Sequence, residues 1–270
     1  MTRGGILRTL LIGGVSLYFA VPMLAMARFA FQRIPVALLT PDRLFENWSV
    51  QGLTDALGQG AFHHAAWISI QLAVLSVIVN LALLLPLSIA VELYMPRFKG
   101  PLTMITLLPW VIPPIALVVG IAATFRTLAP WFLASPLSLV PFYALTAMPF
   151  TYRALDSGLQ SIGARTLNEA ARSLGARTST ILFRVLIPNL GASLIASSVL
   201  TVALVLGEFT FAALLLKNTL PTYMVNYQRG EPRAGIALAL AVMVLTALLL
   251  WFVVRLMRRR GLNTTLGGVG

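Results

Sequence analysis

The sequence predicts an all-α polytopic membrane protein with six transmembrane helices and both termini in the cytoplasm. Hydrophobic residues make up 58% of the 270 residues and charged residues only 10%, whereas roughly a quarter of the residues in soluble domains are charged. Six apolar runs are long enough to cross a bilayer, and the basic residues lie beside these runs. A soluble protein could not cover its surface with so few polar groups.

Each predicted span has about 20 or more residues, the length that a helix needs to cross the hydrocarbon layer. A continuous helix also satisfies its backbone hydrogen bonds internally, as the lipid interior requires. We therefore predict a single transmembrane domain over residues 1–270. Its spans are 6–28, 64–92, 102–125, 132–154, 191–216 and 234–256.

The basic residues predict the orientation of these spans. With the N-terminus in the cytoplasm, the inside segments hold thirteen of the 20 Lys and Arg residues, as the positive-inside rule favours. This orientation places the polar segment 156–190 in the cytoplasm. Because the basic residues flank apolar spans instead of forming one solvated face, the net charge of +12 does not indicate a nucleic-acid partner.

The first apolar run has a second interpretation. Two arginines, the apolar run and Ala25-Met26-Ala27 look like a secretory signal peptide with its cleavage site. The run is about 20 residues long, however, and the apolar region of a signal peptide has about 7–15. We interpret it as an uncleaved first span.

No pattern in the sequence indicates catalysis or metal binding. Cysteine is absent, and the adjacent His63 and His64 have no evident partner ligands, so we expect them at a membrane interface. A phosphate-binding G-x4-G-K-[ST] loop, a zinc-binding H-E-x-x-H helix and a nucleophile elbow are also missing. We expect no catalytic residue, no metal and no cofactor in this chain, which is then not an enzyme by itself.

The polar segment 156–190 contains the most informative motif, EAARSLGARTSTILFRVLIP at residues 169–188. Thr166 and Glu169 form the pattern of a capping box, which predicts a helix N-terminus at Thr166. Gly175 is a natural helix C-cap, and a second short helix can start at Thr178 and stop before Pro188. The segment therefore predicts a compact helix–turn–helix.

The first of these helices has the features of a docking surface. Leu167, Ala170, Ala171 and Leu174 fall on one predicted face, and small alanine side chains let another surface approach closely. Charged residues border this face, namely Glu169, Arg172 and Arg177.

The motif resembles the cytoplasmic EAA loop of ABC-importer permeases, which belong to the binding-protein-dependent transport family. That loop has E-A-A-x3-G, nine residues and I-x-L-P, and here the last part is Val185-x-Ile187-Pro188. The motif covers about 20 residues, and the hydropathy layout extends the resemblance over nearly the whole chain. The six-span layout, the LPWVIPP run and Gly207-Glu208-Phe209 are most similar to the second permease of spermidine/putrescine-type systems.

The resemblance implies the type I ABC-importer permease fold and a set of partners. These are two ABC ATPase subunits that bind ATP and Mg, a second permease subunit that we take to be a different chain, a periplasmic or lipid-anchored substrate-binding protein, and the lipid of a bacterial inner membrane. It also implies a coupling helix that the ATPase moves. The coupling candidates are Glu169, Ala170, Ala171, Arg172, Gly175 and Arg177; alternatively, Glu169 only caps a helix in an ordinary loop.

The third and fifth predicted spans contain candidates for the translocation pathway. Glu208 is an ionisable group in a span, which normally faces a cavity or a partner. It lies in or beside the pathway with Phe209, contacts the second permease, or has an internal hydrogen-bonding role, for example to Thr or Ser of a neighbouring helix. Pro109, Pro113 and Pro114 around Trp110 predict a bent or broken helix, which lines a cavity or only packs.

The substrate that the resemblance implies is a small polar solute. Acidic residues outside and Glu208 suit a cation, so a polyamine is the lead, with aminoalkylphosphonate, iron(III) and thiamine as alternatives.

Two other classes of membrane protein are possible. An ion-driven secondary transporter should show intramembrane acid pairs or inverted repeats, and Glu208 is the only intramembrane acid of this kind. A membrane assembly factor would leave the EAA spacing unexplained.

Two further segments have predicted contacts. The outer loop 217–233 could contact the binding protein or cover the pathway exit. Glu92, at the end of the second predicted span, can pair with Arg97 or Lys99.

Overall fold

The computed structural model describes residues 3–34, 40, 43 and 45–259, and these residues are helical with one isolated antiparallel bridge between Gln32 and Trp48. In chain order, the first α-helices are α1 (Arg3–Phe31), α2 (Gln51–Gly58), α3 (Gly60–Tyr94), α4 (Lys99–Val111), α5 (Pro114–Leu128), α6 (Pro130–Ala134), α7 (Val140–Ser161) and α8 (Ala164–Ser173). They are followed by α9 (Thr178–Thr180), α10 (Ile187–Asn189), α11 (Gly191–Gly207), α12 (Thr210–Leu214), α13 (Leu220–Gly230) and α14 (Pro232–Arg259). A π-helical stretch, Ile181–Leu186, joins α9 to α10.

The described residues fall into two compact units. The first lies within Met1–His64 and Tyr223–Leu245, and the second within Ala65–Thr222 and Thr246–Gly270. The single domain over 1–270 stays a prediction.

The first unit contains a polar joint around Gln32, whose side chain is buried. Gln32 accepts a hydrogen bond from Arg28 Nε at 2.8 Å and donates to the backbone oxygens of Arg43 at 2.9 Å and Glu46 at 3.1 Å. The backbone oxygen of Gln32 accepts from Arg233. These hydrogen bonds thus hold the end of α1 against the backbone at Arg43 and Glu46.

The second unit is built on the packing of α7 along α11, and α4 also packs against α7. At the closest approach of α7 and α11, a Cβ on Gly158 would lie 2.6 Å from Ser193 Cβ and 3.2 Å from a methyl of Leu190. Farther along, the hydroxyls of Thr151 and Thr201 share a buried hydrogen bond of 3.2 Å. The apolar core beside this pair contains Leu72, Leu139, Phe142, Tyr143, Val205 and Phe211.

Three described helices are long and apolar enough to cross a membrane, or up to five if each of two bent pairs is one span. The unbroken ones are Leu10–Phe31, Gly60–Tyr94 and Pro232–Arg255. The predicted span 132–154 falls on α6 and α7, which are not among these candidate spans. Near its end α7 carries the charged residues Arg153 and Asp156. Six spans therefore remain a prediction within an all-α polytopic membrane fold.

The predicted break in the third span is confirmed. Pro96–Val111 and Pro114–Leu128 meet at 88°, and the backbone is extended at Ile112 and Pro113, with ψ of 123° and 135°. Pro113 and Pro114 have no N–H to donate to the preceding turn, so the helix cannot continue through them.

Three local predictions were wrong. Thr166 is not an N-cap, because the helical hydrogen bonds of α8 already begin at Gly163, which has φ of +60°. The second helix of segment 156–190 does not stop before Pro188: Thr178–Asn189 runs through it and meets α11 at a bend of 67°. Pro188 lies at the end of this helix, directly before the bend, where a proline and a π-helical stretch are common causes of a sharp kink. The span 191–216 is interrupted at Glu208.

Candidate functional site

The turn at Gly175 is formed as the sequence predicts. The N–H of Ala176 donates to the oxygen of Ala171 at 3.0 Å, and the N–H of Gly175 donates to the oxygen of Arg172 at 2.9 Å. These are the two hydrogen bonds of a Schellman motif. Gly175 has φ of +76°, a conformation that glycine adopts without the steric cost of a Cβ.

One face of α8 packs inward. Ala164 and Asn168 are buried, and Leu167 and Ala171 pack against an apolar cluster. That cluster joins α3, α7 and the helix Thr178–Asn189 through the side chains of Ile89, Leu159, Ile181, Leu186 and Leu190. The segment is thus seated on the rest of the second unit by apolar contacts.

The opposite face of α8 is exposed, and it differs from the predicted one. Glu169 and Ala170 are exposed, and Leu174 is 87% exposed. Leu174 does not join Leu167 because α8 ends at Ser173, so Leu174 projects from the turn. We call the surface of Glu169, Ala170, Leu174, Gly175 and Arg177 the docking face. Ala171 points inward and is outside it.

Two arginines of α8 contact the end of α3. Arg165 Nε lies 3.0 Å from Glu92 Oε1, and Arg172 Nη2 donates to Tyr94 Oη at 2.9 Å. Glu92 also pairs with Lys99, as the sequence predicts. The pairing with Arg165 was missed, because these residues are 73 positions apart and no local pattern relates them.

A pocket of about 410 Å³ lies where the two broken helices of the second unit meet. Trp110, Glu208 and Phe209, the three pathway candidates, all line it. The Trp110 indole donates to the oxygen of Thr146 at 2.9 Å, which fixes the ring at the pocket wall. The remaining lining residues are Pro109, Ile112, Pro114, Thr146, Leu204, Gly207, Thr210 and Phe211.

The carboxylate of Glu208 caps the first turn of α12. It accepts hydrogen bonds from the backbone N–H of Thr210 at 2.8 Å and of Phe211 at 3.1 Å. These partners are backbone amides two and three residues after Glu208, and not Thr or Ser hydroxyls of a neighbouring helix. Of the alternatives that the sequence leaves open, this geometry supports an internal hydrogen-bonding role, although Glu208 also borders the pocket.

Residues 217–233, predicted as an outer loop, form mostly the helix α13. Lys217 Nζ donates to the backbone oxygens of Leu133 and Ala134, the latter at 3.1 Å. Burial lowers the pKa of the Lys217 ammonium. Within the described part of the chain, no group of three or more His, Cys, Asp or Glu side chains could hold a metal ion.

The described residues form a helical membrane fold with two broken helices and an exposed helix–turn–helix. Residues 82–261, more than half of the chain, match the family "Binding-protein-dependent transport system inner membrane component". The chain belongs to this family.

Three relatives named as transport-system permease proteins are similar over most of their length. The sulfate transport system permease protein CysW of Synechocystis sp. is 28% identical over 86% of this chain and 92% of the relative. The molybdenum transport system permease protein ModB of Mycobacterium tuberculosis is 29% identical over 68% and 75%. A putative 2-aminoethylphosphonate transport system permease protein, PhnV of Salmonella paratyphi A, is 27% identical over 84% and 90%.

A solved structure supports the fold. A chain of a bacterial ABC transporter involved in the import of the acidic polysaccharide alginate superposes with a TM-score of 0.67 at 16% identity, covering 94% of this chain and 98% of that one. The predicted all-α permease fold and the ABC-importer class are confirmed. The narrower resemblance to spermidine/putrescine permeases is not supported by these relatives, which are named for sulfate, molybdenum and 2-aminoethylphosphonate.

Proposed function

We propose that this chain forms half of the translocation pathway of an ATP-driven importer in a bacterial inner membrane, and that its docking face couples it to a separate ATPase. The observation that carries this proposal is the exposed Leu174 at the turn after α8. Leu174 is 87% exposed beside Gly175, while Leu167 and Ala171 pack α8 against the rest of the second unit. One exposed leucine would by itself mean little; the weight of the observation comes from its place at the Gly175 turn of the segment that resembles the EAA loop.

A short series of packed elements connects the docking face with the pocket. The cluster under α8 includes Ile181, Leu186 and Leu190 of the second helix and its bend. After that bend the chain continues as α11, whose far end is Gly207 at the pocket. A force on Leu174 therefore reaches the pocket through one apolar cluster and one helix, since packed elements transmit displacement.

The partner ATPase supplies the chemistry in this proposal. Two such subunits bind ATP and Mg, close, and displace α8 in each of two permease subunits. Substrate delivery by a periplasmic or lipid-anchored binding protein and ATP binding favour an outward-open pathway, and hydrolysis resets it inward. Trp110, Glu208 and Phe209 lie at the proposed pathway, where the two helix breaks meet.

For the substrate, a small oxyanion is a better lead than a polyamine. Glu208 accepts hydrogen bonds from two backbone amides, so its place in the span is accounted for without a cationic substrate. The relatives named above handle sulfate, molybdenum or a phosphonate. Calorimetry on the cognate binding protein can compare four ligands: sulfate, molybdate, 2-aminoethylphosphonate and spermidine. Tight binding of spermidine alone would make a polyamine the favoured substrate again.

Co-purification tests the coupling role. The chain is purified in mild detergent from its native membrane, and a stoichiometric ATPase with a phosphate-binding loop is expected with it. Leu174→Asp should remove most of that ATPase, because a carboxylate would be buried without a partner. Leu216→Asp is the matched control, since Leu216 is 91% exposed and ends the predicted span 191–216, on the side away from the docking face. Equal recovery of the ATPase with both variants would contradict the proposed docking face.

A further inference from the structure

Glu92 is a buried acid held by α8. Its side chain is 8% exposed, and Arg165 Nε contacts both its carboxylate, at 3.0 Å, and its backbone oxygen, at 2.9 Å. The guanidinium therefore fixes the last turns of α3 as well as one side chain. Charge-assisted hydrogen bonds of this kind are stronger and more directional than neutral ones.

A second contact lies two helical turns along the same helix. Arg172 Nη2 donates to Tyr94 Oη at 2.9 Å, and its guanidinium carbon lies 5.6 Å from the centre of the Tyr94 ring. Arg172 also contacts Asn168 of its own helix at 3.4 Å. Positions seven apart share one helix face, so Arg165 and Arg172 reach the end of α3 from the same side of α8.

The acid at the centre of this arrangement is also linked to the next helices. Lys99, the first residue of α4, pairs with Glu92 and lies 3.5 Å from Asp156 of α7. Asp156 accepts from Gln160 at 2.7 Å. Glu92 therefore has two cationic partners from two different elements, which offsets the cost of burying its charge.

We propose that Arg165 and Arg172 act as a two-point clamp that fixes α8 to the end of α3, so that α3 moves with α8 when the ATPase moves it. The proposal rests on the coupling role of α8. The chain joins α8 directly only to α7 and to Thr178–Asn189. The clamp adds α3, which is 73 to 78 positions away in sequence, to the elements that α8 displaces.

Apolar packing alone would not fix this relation. Ile89 of α3 already lies in the cluster beneath α8, but apolar contact is non-directional and permits small sliding of packed helices. Two arginine contacts at positions 165 and 172 oppose both sliding along α3 and rotation about it. Arg165 and Arg172 are thus positioning residues for the conformational cycle.

A distance measurement in the assembled transporter tests the clamp. The chain has no cysteine, so Met95→Cys beside the end of α3 and Thr166→Cys on α8 can each carry a spin label without background. The label distance is measured by pulsed electron resonance in the complex with its ATPase, first without nucleotide and then trapped with ATP and vanadate. In the parent chain the distance should change by less than about 2 Å, the size of an ordinary helix shift.

The clamp variants give the second comparison. In Arg165→Gln/Arg172→Gln the narrow distance distribution should be lost, whereas Arg165→Lys should keep it in part. Arg97→Gln is the matched control, an exposed arginine near the same helix end whose guanidinium lies over Phe98, and it should leave the distribution narrow. If the double variant does not assemble, Tyr94→Phe, which removes only the hydroxyl acceptor, replaces it and should broaden the distribution.

The outcomes separate the clamp from the coupling role. A complex that traps nucleotide but shows a shift of several ångströms between Met95→Cys and Thr166→Cys in the parent overturns the clamp alone. An unchanged narrow distribution in the clamp variants also overturns it. A chain that does not associate with an ATPase overturns the coupling role and the clamp together.

Discussion

Gly175 has a backbone conformation that other residues adopt only at a cost. Its φ is +76°, and a Cβ at this position would meet no atom within 4 Å. Gly175→Ala should therefore destabilise the turn through backbone strain alone, by about 1 kcal/mol. Hydrogen exchange of the amides at 175 and 176 measures this effect, which should appear as about a fivefold loss of protection.

Gly191 provides the control for this substitution. It begins α11, and a Cβ there also meets no atom within 4 Å, but its φ is not positive. Gly191→Ala should leave exchange unchanged or slow it, because alanine favours a helix. Equal effects of the two substitutions would contradict the role assigned to the Gly175 turn.

Glu208 is predicted to stabilise α12 and not to bind substrate directly. Glu208→Ala removes the acceptor for the N–H groups of Thr210 and Phe211 and should cost about 0.5–2 kcal/mol, as loss of a helix cap does. Hydrogen exchange at these two amides should accelerate. A variant with unchanged exchange but no transport would instead identify Glu208 as a substrate ligand.

At the scale of elements, the close approach of α7 and α11 depends on Gly158. A Cβ there would lie 2.6 Å from Ser193 Cβ, so Gly158→Ala forces the helices apart and should cost about 1–3 kcal/mol. The change is read as a lower unfolding temperature of the purified complex. Gly120→Ala on α5 is the control, because a Cβ there meets nothing within 4 Å.

A compensating substitution sharpens this prediction. Gly158→Ala/Ser193→Gly removes the side chain with which the new methyl collides and should recover part of the lost stability. Full stability of Gly158→Ala by itself would show that the two helices do not pack at this distance.

The elements that could be predicted from sequence are those that local chemistry determines. Pro113 and Pro114 break a helix wherever they occur together, and Gly175 after a polar helix predicts a C-cap. The interruption at Glu208 was missed, because residues 191–216 read as one apolar run and only the folded chain brings the carboxylate back to Thr210 N–H. Arg165 was missed for a similar reason, since its partner Glu92 depends on tertiary packing.

For the whole molecule, the basic residues predict an inside location for the docking face and an outside location for residues 217–233. Because the chain has no cysteine, single variants Ser173→Cys and Asn218→Cys report this directly. In membrane vesicles of opposite orientation, an impermeant maleimide should label Ser173→Cys only from the cytoplasmic side and Asn218→Cys only from the other. The reversed pattern would invert the proposed topology.

The central claim is that the Leu174 turn contacts an ATPase, and site-specific photo-cross-linking tests it most directly. A benzophenone amino acid is placed at position 174 and, as a control, at position 216, both of which carry exposed leucines. After irradiation of native membranes, the account predicts a cross-linked product from position 174 that contains an ATPase with a phosphate-binding loop, and none from position 216. A chain that assembles normally but yields no ATPase product from position 174 would contradict the account.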